Sequence, residues 1–309
     1  MGILHSFQSI APIFLLILLG LILRRKGIPG EDFWRFNDRF AYWILFPALL
    51  YGKTSTIELS GDLIRPYAIV IYASFGVAAL FGVITGLTLR YGGATTSSIM
   101  QGCARHNSFL ALGLAERFFG TGGLSQAIII SALLIPITNI VSVTMIVILV
   151  QEQKKDQIFK AILRDLGRNP LLLGVLAGVF INQLNLAPIP IINDTANLLG
   201  AAALPMMLVG VGANIRIGEM STQKGPVLAA IIGKLVVFPL MVVASTQLLG
   251  LSGPTAMILV LYGSVPTAAS SYSLAHQMGG NAPLMAAIIT IQTGLAFFTI
   301  PLTFALIQF

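Results

Sequence analysis

From Leu235 to Phe309 the chain runs 75 residues without a Lys, Arg, Asp or Glu. A soluble fold cannot cover its surface with so little charge. Over all 309 residues, charged side chains make up 9% and hydrophobic ones 56%, against about 25% charge in soluble globular chains. The expected fold is therefore an all-α polytopic membrane protein. The long apolar runs lack the period-two alternation of a membrane-spanning strand barrel. Disorder, a DNA-binding protein and a secreted disulfide scaffold are excluded on composition. Cys103 is the single cysteine, which excludes an intrachain disulfide and a cysteine-built metal site. The net charge of +7 fits cytoplasmic loops better than a nucleic-acid surface.

A spanning helix needs about 20 apolar residues. Charges, glycines and prolines then mark ten spans. Span 1 covers Gln8 to Leu23, span 2 Phe36 to Tyr51, span 3 Pro66 to Leu89, span 4 Thr95 to Phe118 and span 5 Leu124 to Val150. Span 6 covers Pro170 to Gln183, span 7 Asn193 to Asn214 and span 8 Pro226 to Leu249. Span 9 opens at Gly250–Pro254 and ends near Gln277, and span 10 opens at Gly279–Pro283. The start does not read as a cleavable signal, because Arg24-Arg25-Lys26 follows the apolar stretch instead of preceding it.

Ten spans put alternate loops on opposite sides. One side collects Arg24, Arg25, Lys26, Arg35, Arg90, Lys154, Lys155, Lys160, Arg164, Arg168, Arg216 and Lys224; the other collects Lys53, Arg65 and Arg117. The first side is expected in the cytoplasm, with both termini outside and the chain in the cytoplasmic (inner) membrane. The basic segment between residues 152 and 168 reads as a topology signal facing anionic lipid.

An internal repeat is written in prolines and glycines. A shift of 158 aligns Pro12 with Pro170, Gly20 with Gly178, and Leu45-Phe46-Pro47 with Ala203-Leu204-Pro205. A shift of 160 aligns Pro66 with Pro226 and Ala115 with Ala275, and a shift of 156 aligns Asn37-Asp38 with Asn193-Asp194. Residues 1–151 and 169–309 then form two five-helix halves joined by a cytoplasmic linker, 152–168. Five is odd, so the halves enter the membrane from opposite sides. Such inverted repeats place a substrate site at the midplane where interrupted helices meet. Span 9 is interrupted at Tyr262-Gly263-Ser264-Val265-Pro266-Thr267, because a mid-helix proline removes a hydrogen bond. Span 4 has no proline there. It carries the polar run Arg105-His106-Asn107-Ser108, which is as unusual at that depth as a proline.

The stretch from Gly102 through Asn107 and Gly113 to Ala115, the run Leu204-Pro205-Met-Met-Leu-Val-Gly210, and Val265-Pro266 with the small residues after it resemble the auxin efflux carrier family. That family includes plant PIN-type auxin carriers and bacterial permeases for malate and malonate. The resemblance covers essentially the whole chain. It implies an elevator carrier in which spans 1, 2, 6 and 7 form a scaffold, dimeric in such proteins. Spans 3–5 and 8–10 would form a moving transport domain, with crossed spans 4 and 9 at the site. Asn107 matches the crossover asparagine and Pro266 the crossover proline. Plant members carry Asn-Pro at both crossovers; here Ser108 follows Asn107 and Val265 precedes Pro266, so half of the polar pair is missing.

The expected substrate-binding residues are Asn107, Arg105, His106, Ser108, Val265, Pro266, Thr267, Asn139 and Gln292. Arg105 suits a carboxylate clamp, with snorkelling or an ion pair to Glu116 as the alternative. His106 suits proton coupling or hydrogen-bonded packing. Lys234 lies about eight residues, some 12 Å, into span 8 and is expected to snorkel to the cytoplasmic face or to act as a structural counter-ion. Asp38 and Asp194, near the starts of spans 2 and 7, are expected to be N-caps, with cation or proton coupling as the other use. Pro136, Asn139, Gln292 and Thr293 face the crossover or serve helix packing.

The leading expectation is a secondary transporter of a small organic anion, a mono- or dicarboxylate, with H⁺ or Na⁺ as coupling ion. No cofactor, metal or nucleic acid is expected. The alternatives are a sodium symporter resembling the bile-acid family, an intramembrane enzyme and a channel. Against an enzyme, the chain has three histidines and neither HExxH nor GxSxG. The absence of a P-loop excludes ATP-driven pumping by this chain alone.

Overall fold

The computed structural model describes residues 3–56, 61–150, 167–186 and 188–307. All of its regular elements are helices. In chain order they are α1 (Ile3–Arg25), α2 (Glu31–Phe40), α3 (Phe46–Thr54), α4 (Gly61–Thr88), α5 (Gly93–Ala104), α6 (Ser108–Val150) and α7 (Pro170–Gln183). Then follow α8 (Pro190–Ala213), α9 (Lys224–Ile232), α10 (Phe238–Leu248), α11 (Gly253–Ser264), α12 (Ser270–Met278) and α13 (Ala282–Leu306). The basic segment expected between 152 and 168 lies outside the described residues up to 166.

Among the described residues, six stretches are long and apolar enough to cross a membrane: 4–25, 64–88, 93–150, 190–219, 224–248 and 282–306. At 1.5 Å per residue the shortest is about 33 Å long, enough for a hydrocarbon core of about 30 Å. Their outer faces are apolar, as at Leu15, Leu18, Leu80, Ile84, Leu240, Phe298 and Leu302. A surface of this kind belongs in lipid. The chain is a multi-pass membrane protein.

Two rods pass a proline by way of a π-turn. In each, a π-turn precedes the proline: Ala41–Leu45 before Phe46-Pro47, and Gly233–Val237 before Phe238-Pro239. The Phe46 N–H donates to the Ala41 carbonyl and the Phe238 N–H to the Gly233 carbonyl, five residues back. The widened turn makes room for a ring that would clash with the carbonyl four residues earlier. Elsewhere the chain turns through the left-handed region. At Gly120, inside α6, φ is +66° and ψ −159°, a backbone conformation that favours glycine.

The helix ends recur at fixed offsets. Gly27 (φ +69°) and Asn185 (φ +55°), 158 residues apart, close α1 and α7. Gly27 N–H donates to the Arg24 carbonyl and Ile28 N–H to that of Leu23, at 3.1 and 3.0 Å; Asn185 and Leu186 do the same to Asn182 and Ile181, at 2.9 and 3.2 Å. Arg90 (φ +56°) and Gly250 (φ +65°), 160 apart, close α4 and α10. Their bonds again match: Tyr91 to Gly86 at 2.9 Å, and Leu251 to Thr246 at 2.9 Å. These paired bonds are the ordinary left-handed helix stop. Gly120 and Gly279 (φ +83°), 159 apart, share a positive φ but differ in ψ, −159° against 16°.

Packing recurs in the same way. α1 packs on α8 where Gly20 faces the Val209 carbonyl and Gly212 faces that of Ile17. α7 packs on α3 where Gly178 faces the Tyr51 carbonyl and the Thr54 hydroxyl bonds to that of Val175 at 3.4 Å. Tyr51, Thr54, Ile17 and Gly20 lie 158 before Val209, Gly212, Val175 and Gly178. Small residues permit this backbone approach, which drives helix association where lipid is as apolar as leucine.

Opposite signs are therefore expected at two glycines. Gly212→Ala drives a methyl into the Ile17 carbonyl and should cost about 1–3 kcal/mol. Gly76→Ala meets nothing within 4 Å and should be neutral or stabilising by up to about 1 kcal/mol. Thermal unfolding of the detergent-solubilised variants reads both.

Candidate functional site

Two interrupted rods meet inside the molecule. α5 ends at Ala104 and the chain goes extended at Arg105 (φ −66°, ψ 153°). α11 ends at Ser264 and the chain goes extended at Val265 (φ −70°, ψ 148°), again 160 residues on. Asn107 joins the breaks, its N–H donating to the Pro266 carbonyl at 2.8 Å. Its Oδ1 accepts the Leu110 N–H at 3.1 Å. Asn107 is thus the N-cap of α6, which explains why the first break forms without a proline.

Four expected residues lie behind the breaks and not on a cavity wall. Val265, Pro266, Thr267 and Gln292 are all buried and belong to a brace. Gln292 Nε2 donates to the carbonyls of Gly102 and Ala230, both at 2.9 Å, and its Oε1 accepts the Thr267 N–H at 3.0 Å. The Thr267 hydroxyl donates to the Gly102 carbonyl at 2.8 Å. These bonds satisfy backbone groups freed where α5 and α11 stop, which nothing else at that depth would satisfy.

The other five, Arg105, His106, Asn107, Ser108 and Asn139, line one cavity of about 900 Å³. Arg105 is 8% exposed. Its guanidinium donates to Asn139 Oδ1 at 3.3 Å and Ser270 Oγ at 3.1 Å. Those partners, in place of the alternative ion pair with Glu116, tie the break to the far half of α6 and the start of α12. His106 Nε2 lies 3.0 Å from Ser108 Oγ, and its ring centroid is 5.9 Å from that of Tyr262. The first residues of α12, Ala269 and Ser270, also line the cavity, and no side chain caps that helix. Its Ser271 and Tyr272 N–H groups donate to the Ala268 and Ala269 carbonyls at 3.0 and 3.1 Å, so what this N-terminus offers an anion is chiefly its positive dipole. Guanidinium, hydroxyls, amides and a helix N-terminus converge on one space.

Other elements complete the lining. Asn37, Asp38, Tyr42 and Trp43 of α2 and its π-turn line it, with Met207, Gly210, Val211 and Asn214 at the end of α8. Asp38 sits inside α2 and accepts two bonds from Asn214 Nδ2, at 3.2 and 3.1 Å. It is not an N-cap. Nor is Asp194: α8 begins at Pro190, and Asn193 Oδ1 accepts the Ile189 N–H at 2.9 Å. At the cavity edge Arg216 lies 4.4 Å over the Tyr272 ring and pairs with Glu219 at 2.8 Å, while the Tyr272 hydroxyl donates to Glu219. Lys234 does not snorkel. It is 0% exposed, with Nζ 3.8 Å from the Phe238 ring centroid.

Sequence reasoning missed Ser270, Tyr272 and Ser273 as lining residues, although they belong to the hydroxyl run after Pro266. It also missed Trp43, Asn214 and Arg216, which carry no local signal; only the packing of α2 against α8 brings them to the cavity.

Known proteins bear on this arrangement. The model of a family described as membrane transport protein matches residues 5–304. An uncharacterized transporter from Methanothermobacter thermautotrophicus is 23% identical over 303 residues, an alignment covering 96% of this chain and 97% of that protein.

The brace can be tested apart from any ligand. Gln292→Leu removes three bonds to buried backbone groups. It leaves the Thr267 N–H without an acceptor, while Gly102 keeps the Thr267 hydroxyl and Ala230 the Gly233 N–H; at about 1–3 kcal/mol for the buried group left unsatisfied, the variant should unfold below the wild type. A thermal midpoint unchanged in Gln292→Leu would show that the brace carries no stability.

Proposed function

The chain belongs to the auxin efflux carrier family of membrane transport proteins, and we propose that it is a secondary active carrier of a small organic anion. The observation that carries this reading is the convergence of the Arg105 guanidinium and the uncapped α12 N-terminus on the cavity beside the two helix breaks. Guanidinium binds carboxylates through two parallel bonds, and a helix N-terminus adds positive potential. Asn107 has its carbonyl oxygen committed to the cap, so its amide Nδ2 is the group it would offer a carboxylate.

The proposed architecture is ten spans in two inverted five-helix halves. The first half would comprise α1, α2–α3, α4, α5 with the first part of α6, and α6 beyond Gly120. The second would comprise α7, α8, α9–α10, α11–α12 and α13. The matched helix ends and breaks at offsets of 158–160 support it. An odd number of spans per half gives the inversion, and inverted halves give a site that both membrane faces can reach in turn. In the elevator version, α1, α2–α3, α7 and α8 form a dimeric scaffold and the remaining helices move. The cavity would then lie between scaffold and moving part, since Trp43 and Met207 of the one and Arg105 and Ser270 of the other all line it. The basic loops would face the cytoplasm, with both termini outside the inner membrane.

The experiment is uptake of labelled mono- and dicarboxylates by purified protein in liposomes under imposed H⁺ or Na⁺ gradients. Arg105→Gln should weaken binding of the transported anion about 10–100-fold, the equivalent of a charge-assisted bond of 1.5–3 kcal/mol. Asn107→Asp keeps a good cap and removes the amide donor. Its unliganded thermal midpoint should stay close to wild type while the ligand-induced rise disappears. Failure of the wild type to move any carboxylate under either gradient would overturn the reading. Strict Na⁺ dependence would redirect it to a sodium symporter.

A further inference from the structure

Ser270 is the first residue of α12, is exposed, and lines the cavity. A hydroxyl has one hydrogen to donate and two lone pairs to accept with. Inside a helix the hydrogen usually returns to a carbonyl three or four residues earlier. Four helical serines of this protein do that. Ser74 donates to Val70 at 2.7 Å, Ser97 to Ala94 at 2.9 Å, Ser125 to Thr121 at 3.1 Å and Ser264 to Val260 at 2.8 Å.

Ser270 has no helical turn behind it, because α11 stops at Ser264. Four residues back is Pro266, whose carbonyl accepts the Asn107 N–H at 2.8 Å. The Ser270 oxygen instead accepts from Arg105 Nη2 at 3.1 Å. No acceptor among the described residues takes the Ser270 hydrogen. A serine at the cavity that accepts from a cation and donates to nothing in the protein has its hydrogen left for what enters the cavity.

The pair is held still. Arg105 is 8% exposed, and its other terminal nitrogen donates to Asn139 Oδ1 at 3.3 Å. The guanidinium is thus fixed at two points, on α6 and on α12. A hydroxyl that accepts from a cation is also a stronger donor, since hydrogen bonds in a chain polarise one another. An ionised carboxylate only accepts, so an oxygen beside this pair meets the guanidinium charge and the Ser270 O–H together. A primary amide has nearly the same shape, but its NH2 turns donors toward donors.

We propose that Ser270 is a ligand of the carried anion and a determinant of its specificity, its hydroxyl accepting from Arg105 and donating its hydrogen to the carboxylate. This rests on the organic-anion reading and adds to it a residue that selects an ionised carboxylate over an uncharged isostere.

The test is the rise in thermal midpoint of the detergent-solubilised protein against ligand concentration, which yields an affinity. The probes are acetate, benzoate, malonate and succinate, each with its primary amide. Wild type should respond to at least one carboxylate and bind the matching amide roughly tenfold or more weakly. Ser270→Ala should weaken that carboxylate about tenfold, with its unliganded midpoint near wild type. Ser270→Thr keeps the hydroxyl and should restore most of the affinity. Ser270→Ala binding as tightly as wild type overturns the proposal. Ser270→Thr binding as weakly as Ser270→Ala also overturns it, because the loss would then come from packing. An amide bound by wild type as tightly as its carboxylate overturns it as well. If Ser270→Ala does not fold, Ser270→Cys, whose thiol is a weak donor, takes its place with the same expected loss and the same overturning result. If no carboxylate raises the wild-type midpoint, the organic-anion reading falls and the assignment of Ser270 falls with it. A wild-type response left unchanged in Ser270→Ala removes the assignment alone.

Discussion

A backbone that stops being helical inside a membrane must find partners for the groups it frees, because lipid offers none. In this protein the two interrupted rods meet that demand with each other. The Asn107 N–H reaches the Pro266 carbonyl, Thr267 reaches back to Gly102, and Gln292 closes the remaining gaps from α13. The rest of the interior follows from that solution. Gly102 must lack a side chain because Ala230 and Ile288 press against it from α9 and α13. α6 can start at Ser108 because Asn107 caps it. The polar side chains of the first break, Arg105 to Ser108, line the cavity in front of that brace.

How much of this was readable before the structure depends on whether the cause was local. Span ends were readable, since Gly27, Gly250 and Gly279 stop helices through their own backbone freedom. The break at Val265 was readable from Pro266, and the break at Arg105 from a run of polar groups at depth. The offsets of 158 and 160, taken from weak matches of proline and glycine, reappear as matched hydrogen bonds at helix ends. Facing was not readable. Gln292 and Asn139 look alike in a sequence, yet one braces backbone carbonyls and the other holds Arg105. Asp38 and Asp194 stood near expected helix starts. α2 begins at Glu31, seven residues before Asp38, and Asn193 serves the start of α8 in place of Asp194. The snorkelling expected of Lys234 fails because depth along a helix says nothing of direction around it. The π-turn at Gly233–Val237 belongs to a rod packed on α4 and α5, and the amine is turned inward.

The two breaks share one backbone path, and their chemistry differs. At Arg105 and Val265 the dihedral angles agree within a few degrees, and each residue's N–H bonds back to the carbonyl four residues earlier. Beyond that point the first break carries a guanidinium, an imidazole and an amide, while the second carries proline, threonine and alanines. The second break therefore offers mainly backbone to the cavity, through the uncapped start of α12, and the first supplies the side-chain charge. A symmetric pair of charged breaks would place two like charges around one cavity and would bind a single small anion with needless repulsion when empty. With one side-chain cation and one dipole, the empty cavity holds less uncompensated charge.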